Sequence, residues 1–363
     1  MKAIESVRSI DDAFFELVKS FRVLDYLLPS NRKKERNEFF FFLSQGKRYN
    51  PQFEYSRPEI DLEKLRSEIE GLKIEAGPLE SLYRNTFSEL IHRIDLLLSI
   101  GKESFTELSQ KIFGVPSLEL IQQSEAIIRK TREFADTDTF YGIRMVEEQL
   151  REQMTFHRID GWTVRQEKNT IWWAECDTVH TSINLQPGIL ANQRMIDQFI
   201  RHMIDVSVFR WSNGRRQPLK IFSLGFDRQD ETEDGLSLEL ELRFQPYQDH
   251  HLRRYAGRVL AVSQSMKHSF FEVYQELAKY FSPERAYNMT ERCKIGLSDT
   301  SQNGGFLRDH IFLQGRNKLK ALKTPQLKLL YLGKVSIQYL DVLQTLLDDK
   351  EILHPAHLPL YLR

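Results

Sequence analysis

The chain has 363 residues, enough to bury a substantial core in one large domain or in two or three smaller ones. It is 41% hydrophobic and 28% charged, the composition of a soluble globular protein. Its 51 Lys and Arg balance 51 Asp and Glu, which excludes a global field drawing the chain onto nucleic acid or an anionic membrane.

The first third reads as helical. Asp11 or Asp12 can cap a helix whose apolar residues Phe14, Val18, Phe21, Leu24 and Leu28 recur every three or four positions, with Pro29 at its end. The run Phe39, Phe40, Phe41 and Phe42 reads as core packing more readily than as a docking surface, and it is too short to span a bilayer. Tyr49-Asn50-Pro51-Gln52-Phe53-Glu54-Tyr55 reads as a Pro-containing loop packed on the core. A second helix is predicted over 82–100, with Phe87, Leu90, Ile91, Ile94, Leu97 and Leu98 inward and Gly101 as its stop. The acidic residues Glu5, Asp11 and Asp12 stand where a signal peptide needs a positive start and an apolar core, so the chain is expected to be cytoplasmic. Two cysteines, Cys176 and Cys293, build neither a disulfide framework nor a metal knuckle, in keeping with a reducing compartment.

After about residue 151 the texture changes. Ile171-Trp172-Trp173 and 178–184 are rich in β-branched and aromatic residues and read as short strands. A helix is predicted over 192–211, with Ile196, Phe199, Ile200, Met203, Ile204 and Val208 nearly all round it, which implies deep burial; Ser212-Asn213-Gly214 ends it. The stretch 236–244 alternates apolar and polar residues over nine positions and is read as a strand, although Leu and Glu favour helices. Helices return over 253–281 and 327–347, followed by a Pro-punctuated tail. The basic clusters Arg32-Lys33-Lys34 and Arg215-Arg216 read as solvated faces.

No phosphate-cradling glycine loop, no Gly-x-Ser-x-Gly elbow and no close histidine pair on a predicted helix is present. His250 and His251 are adjacent and point different ways, and His202 inside a buried helix reads as a satisfied core residue. These residues by themselves describe a mixed helix-and-strand protein with no catalytic site in view.

Eight segments, in order, nevertheless resemble one family. They are Asn50-Pro51-Gln52-Phe53-Glu54-Tyr55; 96–101 with 105–109 and Phe113-Gly114-Val115-Pro116; 202–210 with Asn213-Gly214 and Gln217-Pro218; 253–262; Ser269-Phe270 with Glu272-Val273; Gly304-Gly305-Phe306 with Asp309; Leu332-Gly333-Lys334; and His354-Pro355-Ala356-His357-Leu358-Pro359. The family is that of tyrosine-carboxypeptidase-like metallopeptidases, whose bacterial members are the flavohemoglobin expression-modulating QEGLA-motif proteins. The resemblance implies an α+β, mainly helical fold: a helical N-terminal region over 1–135, then a metallopeptidase-like domain over 136–363 with a small sheet beside the His202 helix. It also implies that 236–244 is helical, against the alternation.

In that family zinc sits between two histidines of a His-Glu-x-x-x-His motif and a later glutamate of the Gln-Glu-Gly-Leu-Ala motif, and the first-motif glutamate is the general base on the metal-bound water. Here His202 falls on the first ligand, Met203 on the base, Ser207 on the second histidine and Asp234 on the later glutamate. A thioether accepts no proton from water near neutrality, and a hydroxyl is a poor zinc donor beside an imidazole. The resemblance therefore implies a pseudoenzyme with no catalytic residue and no cofactor, in which His202 and Asp234 are vestigial. Its former cleft would bind an unidentified peptide or protein, with Arg254, Arg258, Arg292, Asn213 and Gly214 in matching positions. No nucleic-acid or membrane partner is expected. The alternative is an active metal-dependent carboxypeptidase or hydrolase with a rearranged site that recruits His180, Cys176, His250 or His251. A third possibility is a regulatory subunit acting through its helical first third.

Overall fold

The computed structural model describes residues 3–132, 139–168, 173–244 and 248–363, without the side chains of Leu24, Asp25, Gln248 and His250. The predicted strand at Ile171 and Trp172 lies outside them. Helices dominate, and two small sheets lie in the middle of the chain. Ser182–Leu185 is the central strand of three, parallel to Thr163–Gln166 and antiparallel to Ala174–Asp177. All four of its residues are buried, because the sheet packs against the following helix. Tyr141–Gly142 pairs with Leu190–Ala191 in a second, antiparallel ladder. Among the described residues no helix is long and apolar enough to cross a membrane.

The N-terminal helices are Arg8–Val18, Arg32–Ser44, Leu62–Glu70, Glu80–Leu98, Ser104–Phe113 and Leu118–Lys130. The helix predicted to reach Pro29 ends at Val18 instead. Beyond it Arg22 reaches across to Glu175 and Asp177 at 3.1 and 2.8 Å, and the chain bends to allow this. Asp11 does not cap its own helix. It is buried and accepts from the backbone N–H of Lys220 and Ile221 and from the Tyr83 hydroxyl, at 2.5, 2.9 and 2.8 Å, so it caps the helix Ile221–Leu224 from a distance. Phe39 is core, packed on Phe270, Tyr274 and Tyr287, whereas Phe41 is exposed. The Asn-Pro loop is pinned as expected: Phe53 N donates to Ser298 O, and Asn50 Oδ1 accepts from Phe271 N, both at 2.8 Å.

The alternating stretch 236–244 is overturned as a strand. It belongs to the helix Gln229–Arg243, in which Leu236, Leu238, Leu240 and Leu242 are all buried. The intervening polar residues are buried or half-buried too, and each finds a partner: Ser237 donates to Glu233 O at 2.9 Å, Glu239 takes Arg316 at 3.2 Å, and Glu241 takes Tyr255 at 2.8 Å. A helix buried all round shows no 3.6-residue apolar stripe, so the period of two carried no strand information here. Gly235 lets this helix touch Ile311–Leu319, since a Cβ there would lie 2.6 Å from Gly315 C. The predicted helix over 253–281 is two, Gln248–Ser265 and Phe270–Ala278, the second opened by a Ser269–Glu272 capping box. That over 327–347 is likewise broken into Thr324–Leu329 and Leu340–Asp348.

Lys294 is fully buried at the end of the helix Pro283–Lys294, and its ammonium donates to His268 O, Gln302 O and Ser265 O at 2.6, 2.7 and 3.4 Å. It holds the turn that carries Gly304 and Gly305 at φ 91° and 126°. Leaving buried carbonyls without a donor costs about 1–3 kcal/mol each. Lys294→Met, similar in length and without donors, is expected to lower stability by roughly 3 kcal/mol, seen as a fall in the urea midpoint at unchanged slope.

Candidate functional site

The deeply buried helix predicted over 192–211 exists, runs to Arg215, and is not uniform. Gln193–Phe199 is α-helical, Ile200–Val208 is a π-helix, and Phe209–Arg215 is α-helical again. Asn192 caps its start by accepting from Met195 N at 2.9 Å. π-Helical hydrogen bonds skip five residues and concentrate at functional sites. In an α-helix, residues five apart point about 140° from one another. The wider π turn brings His202 and Ser207 to one side, where both line the same cavity. The other side of the turn holds Asp205, buried against Arg201 and His157 at 2.6 and 3.7 Å.

The cavity encloses about 1040 Å³. One wall is the π turn with Cys176, and another is the start of Gln229–Arg243. His202 Nε2 lies 3.7 Å from Asp234 Oδ1, and Arg308 Nη2 lies 2.7 Å from Asp234 Oδ2. Ser207 Oγ donates to Glu233 Oε1 and Arg210 Nη1 to Glu233 Oε2, both at 2.8 Å. Arg93 Nη1 meets Asp230 Oδ2 at 3.0 Å. Met203 Sδ packs 3.6 Å from Cys176 Sγ. A second cluster continues the wall: Arg258 lies over the rings of Tyr255 and Phe312, 5.0 Å from each centroid, and Arg292 clasps Asp309 with Nε and Nη2.

Burial pushes Asp234 up to about 7, with Asp230, Glu233 and Asp309 adding to it and Arg308 opposing. Burial also brings His202 down to about 4, aided by Arg308, Arg258 and Arg254, so the imidazole is neutral at pH 7. Glu233 goes the other way: burial raises it, but Lys334, Arg210 and the Ser207 hydroxyl outweigh that and hold it below the usual carboxylate range. Arg292 falls to about 10 through burial and the neighbouring Arg258.

Of the residues singled out from the sequence, His202, Met203, Ser207, Asp234, Arg254, Arg258 and Arg292 all line this cavity. Asn213 and Gly214 do not. Asn213 is buried and donates to Tyr331 O and His357 O at 2.7 and 2.8 Å, while its Oδ1 accepts from Ala356 N and His357 N at 2.9 Å. It fastens the C-terminal tail. Gly214 lets Phe222 O approach where a Cβ would sit 2.3 Å away. Arg210 and Lys334 fall in family-like segments but were not assigned to the site, and Arg308 and Glu233 were missed because nothing in their local pattern marks them; only the five-residue spacing of His202 and Ser207 pointed to the π turn.

The donors present do not fit a catalytic zinc, which needs three protein ligands and an open position. Ser207 is committed to Glu233, Arg308 lies against Asp234, and among the described residues no group of three or more His, Cys, Asp and Glu converges to hold a metal ion. Of the further donors considered, Cys176 and His251 also line the cavity, but each contacts another side chain and none joins His202 and Asp234 in a group of three. His180 Nδ1 lies 2.7 Å from Asp177, His251 Nδ1 lies 3.2 Å from Gln198, and Cys176 rests on Met203. The His250 side chain lies outside the described residues.

The family described as microtubule-associated tyrosine carboxypeptidase matches residues 40–363. The chain is 27% identical over 360 residues to microtubule-associated tyrosine carboxypeptidase 1 of Mus musculus, covering 93% of this chain and 65% of that protein. It is 26% identical over 349 residues to the protein of the same name from Homo sapiens, with the same coverage. Against MATCAP2 of Mus musculus it is 25% identical over 338 residues, 90% of this chain and 57% of that one. The chain thus spans 57–65% of the length of these relatives.

Two outcomes test this geometry. His202 has a folded value of about 4 against an ordinary 6.5, so below pH 6.5 the unfolded chain takes up a proton that the folded one refuses. Stability from this group is complete above pH 6.5 and is lost as pH falls towards 4, by roughly 2–3 kcal/mol. Denaturant titrations of His202→Gln should show that part of the acid slope removed. Asn213→Leu should cost about 2–4 kcal/mol in the same titration at any pH, because three hydrogen bonds to the tail and one to Tyr331 O are broken.

Proposed function

Since the chain belongs to the microtubule-associated tyrosine carboxypeptidase family, we propose that it is a non-catalytic member that holds a peptide or protein tail in the cavity without cleaving it. One observation carries this reading. At the cavity wall Met203, which the resemblance aligns with the general base, packs on Cys176, while Ser207, which it aligns with a metal ligand, gives its hydroxyl to Glu233. A thioether takes no proton from water, and losing a general base alone costs about 10²–10⁴ in rate. We place the protein in the cytoplasm, where Cys176 and Cys293, both free thiols, stay reduced.

The cavity's charge supports an anionic ligand. Fourteen Arg and Lys line it against seven Asp and Glu, a local excess in a chain that is neutral overall. Arg254 and Arg258 present guanidinium groups beside Tyr255 and Phe312, a surface suited to carboxylates on an extended segment with aromatic or apolar side chains.

Acidic peptides ending in tyrosine, incubated with the protein with and without added zinc, should keep their mass by mass spectrometry. Fluorescence anisotropy should show binding that weakens as salt rises, and Arg258→Gln should weaken it about tenfold. Loss of the terminal residue that a chelator stops would overturn the reading.

A further inference from the structure

The first two turns of Gln229–Arg243 carry Asp230, Glu233 and Asp234 into the interior. Each carboxylate is met by a different guanidinium: Asp230 by Arg93 at 3.0 Å, Glu233 by Arg210 at 2.8 Å and Asp234 by Arg308 at 2.7 Å. Arg308 is 11% exposed, comes from the short turn Leu307–His310, and also reaches within 3.8 Å of Asp230. Its guanidinium lies 5.7 Å from the centre of the Phe312 ring, the ring that His202 meets edge-on at 6.0 Å. Arg308 and His202 therefore approach the same carboxylate, one at each oxygen.

We infer that Arg308 takes the electrostatic place of a metal ion, so that the centre is held together by the Asp234–Arg308 ion pair and needs no metal. Buried as it is, Asp234 keeps its charge only beside a positive group and otherwise takes up a proton. In a three-donor site a divalent ion supplies that charge. Here, among the described residues, His202 and Asp234 face each other with no third donor converging on them, and a guanidinium, charged at every physiological pH and independent of metal supply, lies against Asp234 Oδ2. The Ser207 hydroxyl, bound to Glu233, closes the remaining side of the turn. This goes beyond the proposed peptide binding and holds whatever the cavity contains.

The test uses the full chain purified without added metal. Elemental analysis should find zinc well below one per chain, and the melting temperature should be the same in chelator and in excess zinc. Arg308→Met should lower the melting temperature by several degrees, and adding Asp234→Leu should restore most of that loss, because removing both partners leaves no uncompensated charge. Arg308→Met combined with Ser207→His frees Asp234 and returns an imidazole to the π turn; it should bind zinc and melt higher in its presence, which Arg308→Met alone should not. One zinc per wild-type chain with stability lost in chelator overturns the inference. So does a wild-type melting temperature in Arg308→Met. If Arg308→Met does not fold, the Arg308→Met/Asp234→Leu protein decides: its failure to regain stability overturns the inference as well. None of these readouts depends on peptide binding.

Discussion

Three carboxylates at the start of one buried helix set the terms for the rest of the molecule. Asp230, Glu233 and Asp234 cannot stay in the interior as ions without cations at contact distance. Those cations come from well-separated parts of the chain: Arg93 from Glu80–Leu98, Arg210 from the end of the central helix and Arg308 from a turn near residue 308. Arg210 is fully buried and also donates to Leu330 O at 3.1 Å and to Val335 O, so the same residue ties in the segment between Thr324–Leu329 and Leu340–Asp348. Helices from the first third of the sequence are thereby bonded to the cavity wall itself.

The π turn supplies the second constraint. Its five-residue spacing turns His202 and Ser207 towards the carboxylate cluster while Asp205 faces away, towards Arg201 and His157. A regular α-helix would separate His202 and Ser207 around its axis and leave one of them in the core. The backbone therefore turns residues 202 and 207 to one side, where the resemblance expects two metal ligands, and the second of these positions holds a serine. Shape and donor chemistry have come apart at this site.

Charge shows the same separation between whole and part. The chain carries no net charge, yet the cavity beside the π turn collects twice as many basic as acidic side chains. A field of this kind acts at short range, inside low-dielectric walls where screening is weak.

From the sequence alone, the helix Glu80–Leu98, stopped by Gly101 at φ 76°, was legible, because its apolar periodicity follows one wet and one buried face. The motif residues His202, Met203, Ser207 and Asp234 were also legible, since their spacing is a property of the chain. What failed was any inference from alternation in 236–244, because burial on all sides erases the pattern that distinguishes helix from strand. Asn213 likewise read as a cleft residue, although its hydrogen bonds run to a tail some 140 residues further on. Covalent order thus determined that methionine and serine stand at positions 203 and 207. Only the folded chain decided what meets Asp234, because the guanidinium that settles on it arrives from 74 positions away, across a distance that local periodicity cannot encode.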